Sequence, residues 1–111
     1  MALPAVIKAL LKPSAYPKGC GKVALLQTHI SYILLTGKYA YKIKKPVDFG
    51  FLDFTALEKR LYFCKEEVRL NRRLAPDIYI GVAPIARVRG GYRVQGQGRI
   101  VEYAVKMKRI P

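Results

Sequence analysis

Acidic residues are scarce in this sequence, and their scarcity limits the kinds of partner it suits. The 111 residues include 21 lysines and arginines but only 7 aspartates and glutamates, which gives a formal net charge of +14 at pH 7. Charge of one sign at this density repels itself, so we expect an anionic partner or an acidic companion domain. Nucleic acid, a phosphorylated small molecule and an anionic membrane surface all have suitable charge.

Residues that bind metals or form disulfides are also few. Cys20 and Cys64 are the only cysteines, too few for a disulfide framework and not spaced as metal ligands, and His29 is the only histidine. No segment reaches the roughly 18 apolar residues that span a bilayer. The N-terminus lacks the basic leader and the cleavage site of a signal peptide. We therefore predict a cytoplasmic protein without a membrane partner.

Apolar residues make up 51% of the chain, which indicates one folded domain. Residues 4–12 have the pattern of a short amphipathic helix that ends at Pro13. Residues 1–21 are thus predicted to be an N-terminal helix and a turn-rich connector. Runs of apolar and β-branched residues then predict three antiparallel strands, at about 22–28, 30–36 and 38–45.

A long helix is predicted at about residues 54–75. Asp53 or Thr55 is placed to cap it, Glu58 would complete a capping box, and Pro76 ends it. Its apolar arc covers about half of the helical wheel and comprises Leu57, Leu61, Phe63, Cys64, Val68, Leu70 and Leu74. Two more strands, "YIGVAPIARV" and "RIVEYAVKMK", flank a glycine-rich hairpin with room for a short strand. The fold class is α+β, with a five-stranded antiparallel sheet, one long helix and a short N-terminal helix.

The third predicted strand alternates its side chains between two faces of the sheet. One face carries Tyr39, Tyr41 and Ile43, and the other carries Ala40, Lys42 and Lys44. In one interpretation the apolar face packs on the long helix and the second face is solvated. In the other, that of kinases, a small residue leaves room for adenine and a lysine two places on reaches the nucleotide phosphates.

The long helix favours the second interpretation because it carries a carboxylate for Lys42. Glu67 falls inside the apolar arc of the wheel, whereas Glu66 falls near its edge. A carboxylate that faces a sheet needs a cationic partner, because an unpaired buried charge costs several kcal/mol. We therefore predict a Lys42–Glu67 ion pair. Arg60 also lies within the arc, where it either extends to solvent or competes for Glu67.

Two short segments invite comparison with kinase motifs. Asp48-Phe49-Gly50 spells the magnesium-binding tripeptide of protein kinases, but it precedes the long helix, so we interpret it as a turn. No Gly-x-Gly-x-x-Gly loop joins the first two strands, which excludes the protein-kinase form of the phosphate loop. The turn from Thr28 to Ser31 can still present hydroxyls and amides to a phosphate. His29 is either a donor there or a simple turn residue.

The whole pattern resembles the N-terminal region of a bacterial family of aminoglycoside-phosphotransferase-like kinases. The resemblance runs from about Val23 to Pro111, and "YKIKKPVDFGFLDF" and "RLNRRLAP" are its most specific segments. It implies that residues 22–111 form a kinase-like N-terminal lobe that ends at the hinge to a catalytic lobe. It also implies ATP with magnesium as the cofactor of the full-length enzymes.

The resemblance assigns a role to each candidate residue. Lys42 would bind nucleotide phosphates with Glu67 as its partner, and the Thr28–Ser31 turn would stand in for the nucleotide-positioning loop. Ala40 would leave room for adenine, and the segment from Met107 to Pro111 would approach the hinge. The catalytic aspartate and the magnesium ligands belong to the second lobe. We therefore expect no catalysis by these residues alone, and self-association through the exposed cleft face.

A basic nucleic-acid-binding module is the alternative function. Lysines and arginines occur throughout the chain, and tyrosines such as Tyr32, Tyr41 and Tyr92 lie among them, as stacking surfaces on a sheet would. Specific RNA-recognition signatures are absent from the sequence. A steep dependence of binding on salt would distinguish this function from nucleotide binding.

Overall fold

A computed structural model describes residues 3–18 and 20–109 as an antiparallel sheet with helices on both sides. The helical elements are α1 (Ala5–Ala9), a 3-10 turn (Pro13–Ala15) and α2 (Leu57–Asn71). The strands are β1 (Ala24–Gln27), β2 (Ser31–Leu35), β3 (Tyr39–Lys44), β4 (Tyr79–Val88), β5 (Gly91–Val94) and β6 (Arg99–Lys108). The described residues are therefore α+β, as predicted.

Within the described residues the sheet has six strands in the order β1-β2-β3-β6-β4-β5, so the prediction of five strands is wrong. The additional strand, β5, is the short strand for which the glycine-rich hairpin has room. Arg89 and Gly90 form a two-residue turn, and Gly90 has a φ of +85° that glycine adopts without steric cost. This turn lets residues 91–94 pair with β4 as an edge strand.

The helix α2 is shorter than predicted at both ends. Its N-cap is Ala56, which makes no side-chain cap hydrogen bond, so the predicted capping box does not form. The Asp53 carboxylate instead accepts hydrogen bonds from the backbone and hydroxyl of Thr55 and pairs with Lys59. These local bonds stabilise the turn that precedes the helix and leave Asp53 outside it.

The reverse side of the sheet, defined as the side opposite α2, packs against the N-terminal segment. Ile7, Leu10 and Tyr16 form one buried cluster with Tyr41 and Ile43 of β3. The Tyr16 hydroxyl donates to the Leu10 carbonyl at 2.7 Å, which satisfies its buried polar group. The interpretation that placed the apolar face of β3 on the long helix is therefore wrong.

The helix side of the sheet is covered only in part. Cys64 and Val68 of α2 pack against Val105 of β6, and α2 lies over β4 and β6. Leu70 and Leu74 are 50% and 89% exposed, so the predicted apolar arc is too wide at the C-terminal end. In the described part of the chain, no helix is long and apolar enough to cross a membrane.

Candidate functional site

The alternation of β3 turns two lysines toward the helix side of the sheet. Lys42 lies opposite Ile33 of β2 and Val105 of β6. Lys44 lies opposite Ser31 of β2. Directly opposed residues of an antiparallel pair point to the same face of the sheet, and Val105 packs against α2. Lys42 therefore lies on the helix side, and so does Lys44, two residues further along the strand.

Glu67 of α2 bridges these two lysines. Its Oε2 lies 3.0 Å from Nζ of Lys42, and its Oε1 lies 2.9 Å from Nζ of Lys44. The predicted Lys42–Glu67 ion pair is thus present, and Glu66 pairs instead with Arg69 on the exposed side of α2. Lys44 is a second partner that the prediction missed. Its position two residues from Lys42 on the same face was the signal for it.

The three charged groups differ in burial. The Lys42 side chain is 28% exposed, that of Glu67 is 15% exposed, and that of Lys44 is 7% exposed. Burial alone would raise the pKa of the Glu67 carboxyl. The hydrogen bond and charge of Lys44, and then those of Lys42, outweigh it, so the pKa lies below its ordinary value. Glu67 is therefore ionised at neutral pH. The triad of Lys42, Glu67 and Lys44 carries one net positive charge.

Arg60 is engaged elsewhere and does not compete for Glu67. Its Nε lies 2.9 Å from Oε1 of Glu102 on β6, and its Nη1 donates to the Phe54 carbonyl at 2.8 Å. Burial raises the pKa of Glu102, against the opposing hydrogen bond and charge of Arg60. The prediction missed Glu102, although a carboxylate within the apolar run "IVEYAV" was a signal that it needed a cation.

A cavity of about 440 Å³ opens beside Lys42. Its lining consists of Thr28, His29, Ile30, Ser31, Ile33 and Lys42. The structure thus places the predicted turn next to the predicted lysine. His29, which is exposed, is part of this lining.

The hydroxyl groups of this turn are used unequally. Thr28 Oγ1 accepts hydrogen bonds from the backbone of Ile30 at 3.3 Å and of Ser31 at 3.0 Å, which closes the turn. Ser31 is 2% exposed, and its Oγ has no hydrogen-bond partner among the described residues. A buried hydroxyl without a partner is uncommon in proteins. The wall of the cavity therefore holds one unsatisfied polar group.

The two predicted adenine contacts lie next to each other, one step along the sheet from Lys42. Ala40 of β3 and Met107 of β6 are directly opposed, and both are half-buried. Met107 packs on the cluster of Cys64, Val68 and Val105. Of the predicted hinge segment from Met107 to Pro111, residues 110 and 111 lie outside the described residues.

Asp48 is part of a turn, as interpreted from the sequence. Its Oδ1 accepts a hydrogen bond from the Gly50 backbone at 2.7 Å, and its backbone forms an isolated bridge with Asp53. Within residues 3–18 and 20–109, no group of three or more His, Cys, Asp or Glu side chains could hold a metal. Glu67, the carboxylate beside Lys42, is already bound by two ammonium groups. These residues therefore do not fit a magnesium ion.

A second cationic region lies at the β4–β5 hairpin and the adjoining start of β6. Arg87, Arg89, Arg93 and Arg99 are all exposed, and none has a carboxylate within 4.0 Å among the described residues. A smaller cavity of about 220 Å³ there is lined in part by Lys12, Ser14, Arg89, Gly91 and Arg93. We call the group of Arg87, Arg89, Arg93 and Arg99 the arginine hairpin.

Tyrosine stacking surfaces are less available than the sequence suggested. Tyr41 is 2% exposed and packs on Tyr16 with 5.2 Å between ring centroids. Lys45 Nζ lies 4.9 Å from the centroid of the Tyr32 ring and so covers it. Tyr92, on β5, is half-buried.

Comparison with known proteins gives relatives but no family. No protein-family model matches the chain, and no solved structure matches it. Over 66 residues, 60% of this chain, it is 41% identical to an uncharacterized protein of Mycobacterium bovis and to uncharacterized proteins of two strains of Mycobacterium tuberculosis. The matched segment spans 13% of the length of these relatives. It is thus similar to a small part of larger proteins.

Proposed function

We propose that the helix side of β1–β3 binds the phosphates of a nucleotide, and that the chain is the nucleotide-binding lobe of a small-molecule kinase. The observation that carries this proposal is the ion pair between Lys42 and Glu67, 3.0 Å long, at the edge of an open cavity. Protein kinases use the same combination, in which a lysine of the third strand pairs with a glutamate of the following helix.

The chemistry of the cavity supports an anionic ligand. The Lys42 side chain is partly exposed at its wall, and the triad of Lys42, Glu67 and Lys44 has one positive charge in excess. A phosphate oxygen is an acceptor that suits the Lys42 ammonium, because charge-assisted hydrogen bonds are the strongest of those available to it.

The apolar part of a nucleotide has a matching surface. Ala40 and Met107 form an apolar surface beside Lys42, and Ile33 extends this surface along the cavity wall. A planar base could lie on this surface while its phosphates reach Lys42. ATP is therefore the ligand that we propose, with the aminoglycoside-phosphotransferase-like kinases as the class of enzyme.

Phosphoryl transfer needs groups beyond this site. A kinase orients the acceptor hydroxyl with an aspartate and holds magnesium with further Asp and Asn side chains. Glu67 is committed to two lysines and cannot take either role. We propose that the remainder of a longer protein supplies these groups, together with the acceptor pocket.

The test is binding of a fluorescent ATP analogue by wild type, Lys42→Ala and Lys65→Ala. Lys65 is an exposed lysine of α2, so its substitution makes the same change in net charge away from the cavity. We expect Lys42→Ala to weaken binding by about tenfold or more, because it removes a charge-assisted hydrogen bond. Equal affinities for the two variants would refute a site at Lys42.

The arginine hairpin supports nucleic-acid binding as a second candidate function. Arg87 of β4 lies directly opposite Arg99 of β6, and like charges in this position destabilise a sheet. A phosphate backbone would relieve that repulsion. Binding of single-stranded RNA should then weaken steeply with salt and depend on Arg89→Ala and Arg93→Ala. Loss of binding in Lys42→Ala but not in these variants would exclude this second function.

A further inference from the structure

We propose that Lys44 is a positioning residue that holds Glu67 in place and thereby frees Lys42 to bind phosphate. The inference rests on the proposed function, since it assigns different tasks to two lysines of one nucleotide site. Lys42 is the exchangeable partner of Glu67, shared with the ligand. Lys44 is the permanent partner, which the ligand does not reach.

Lys42 and Lys44 differ in their access to the cavity, as these two different roles require. Lys42 lines the cavity, whereas Lys44 does not. The Lys44 side chain is 7% exposed, and its Nζ lies 5.2 Å from the centroid of the buried Phe54 ring. Lys44 is thus enclosed between α2 and the segment that precedes it. A ligand in the cavity meets the ammonium of Lys42 and not that of Lys44.

The electrostatics explain why a second lysine is useful. A phosphate that draws Lys42 toward itself weakens the Lys42–Glu67 pair. If Lys42 were the sole partner of Glu67, this movement would leave a largely buried carboxylate unpaired and would oppose binding. Because Lys44 donates to the other carboxylate oxygen at 2.9 Å, Glu67 keeps a cationic partner throughout. The free-energy cost of moving Lys42 toward a phosphate is therefore lower than it would be without Lys44.

The other charged groups near Glu67 do not replace Lys44. Arg60, about two turns earlier on α2, is bound to Glu102 of β6. Cys64, also on α2, is a neutral thiol at physiological pH because burial raises its pKa to about 11. Among the described residues, Lys42 and Lys44 are thus the cations that bind the Glu67 carboxylate.

The first experiment needs no nucleotide. The ionisation of Glu67 is followed by carbon NMR of its carboxyl group in wild type, Lys42→Met and Lys44→Met. We expect Lys44→Met to raise the pKa of Glu67 more than Lys42→Met does, because Lys44 is the more buried partner. A larger rise in Lys42→Met would overturn the inference. This result is independent of whether the protein binds ATP.

The second experiment adds ADP to the same proteins. We expect Lys44→Met to bind ADP about tenfold more weakly than wild type, and ADP to raise the pKa of Glu67 more in this variant than in wild type. Lys44→Arg, which keeps a cation, should restore much of the affinity. Unchanged ADP affinity in Lys44→Met would also overturn the inference. Absence of ADP binding by wild type would instead refute the proposed function.

A measurement on wild type alone covers the case in which Lys44→Met does not fold. The side-chain ammonium signals of the two lysines are observed by nitrogen NMR during addition of ADP. The signal of Lys42 should shift as its partner changes, while that of Lys44 should stay in place. The opposite pattern would show that Lys44, and not Lys42, exchanges with the ligand.

Discussion

Arg60 and Glu102 form an ion pair between α2 and β6, with 2.9 Å between Nε and Oε1, although 42 residues separate them in sequence. Their side chains are 10% and 9% exposed. Arg60 also donates to the Phe54 carbonyl, and the Tyr103 backbone donates to Glu102. This buried pair fixes the first half of α2 on the sheet and therefore the direction from which Glu67 reaches the lysines.

Removal of one member of this pair should be costly. Arg60→Met leaves the Glu102 carboxylate buried without a cation, and we expect a loss of roughly 3–5 kcal/mol in the free energy of unfolding, measured with urea. The double variant Arg60→Met/Glu102→Leu should recover most of this loss, because it removes both charges. Simple addition of the two single losses in the double variant would argue against a direct interaction.

The Glu67 triad should make stability depend on pH. The pKa of Glu67 is lower in the folded than in the unfolded protein. Its contribution to stability is therefore present above the unfolded pKa, about 4.3, and is lost as pH falls through the lower folded pKa. The stability difference between wild type and Glu67→Gln should be largest near neutral pH and should shrink below about pH 4.

Glu66→Gln is the matched control for this measurement. Glu66 pairs with Arg69 at the surface of α2, where solvent screens the interaction. Its substitution should change stability much less than that of Glu67 near neutral pH. A pH profile for Glu66→Gln as steep as that of Glu67→Gln would assign the effect to net charge and not to the triad.

The two cysteines should react at very different rates with a thiol reagent. Cys64 is fully buried, and burial raises its pKa to about 11. Cys20 is half-buried. We expect one thiol to react quickly in the folded protein and two in urea, measured by absorbance with a disulfide reagent. Rapid labelling of Cys20→Ser in buffer would mean that α2 opens readily.

Self-association through the open face of the sheet is a further expected property. Leu26 of β1 is 53% exposed and lies opposite Ile33, which lines the cavity. Leu26→Glu should reduce any association observed by sedimentation velocity, because it places a charge on this apolar face. Leu74→Glu is the control, since Leu74 is 89% exposed beyond the end of α2. Equal effects of both substitutions would locate the contact elsewhere.

Gly98, which precedes β6, should not tolerate a side chain. A Cβ atom there would lie 2.3 Å from the Arg87 carbonyl oxygen of the neighbouring strand. We expect Gly98→Ala to lower the free energy of unfolding by about 1–3 kcal/mol, measured by urea denaturation. Gly37→Ala is the control, because its Cβ would make an ordinary contact of 3.5 Å. Similar stability of the two variants would contradict this packing.

The Lys42–Glu67 ion pair was predictable from the sequence because side chains repeat regularly along a strand and along a helix. The alternation of β3 places Lys42 on one face, and the helical wheel places Glu67 toward the sheet. An isolated wheel also ranks Glu67 above Glu66 correctly. Local period thus predicts which side chains can meet when one strand and one helix are adjacent in sequence.

Other features depend on contacts that a local pattern does not contain. The N-terminal segment, rather than α2, covers Tyr41 and Ile43, and nothing in β3 itself indicates which element will do so. Asp53 forms bonds with Thr55 and Lys59 that compete with helix capping. Leu74 has apolar character but lies beyond the end of α2, where it is 89% exposed.

The two faces of β3 should give two different kinds of mutational effect. Tyr41 and Ile43 pack against the N-terminal segment on the reverse side of the sheet, whereas Lys42 and Lys44 face α2. Substitutions along this short stretch should therefore alternate in phenotype, one position lowering the yield of folded protein and the next altering what the folded protein binds. A saturation library across residues 39–44 would display that alternation directly.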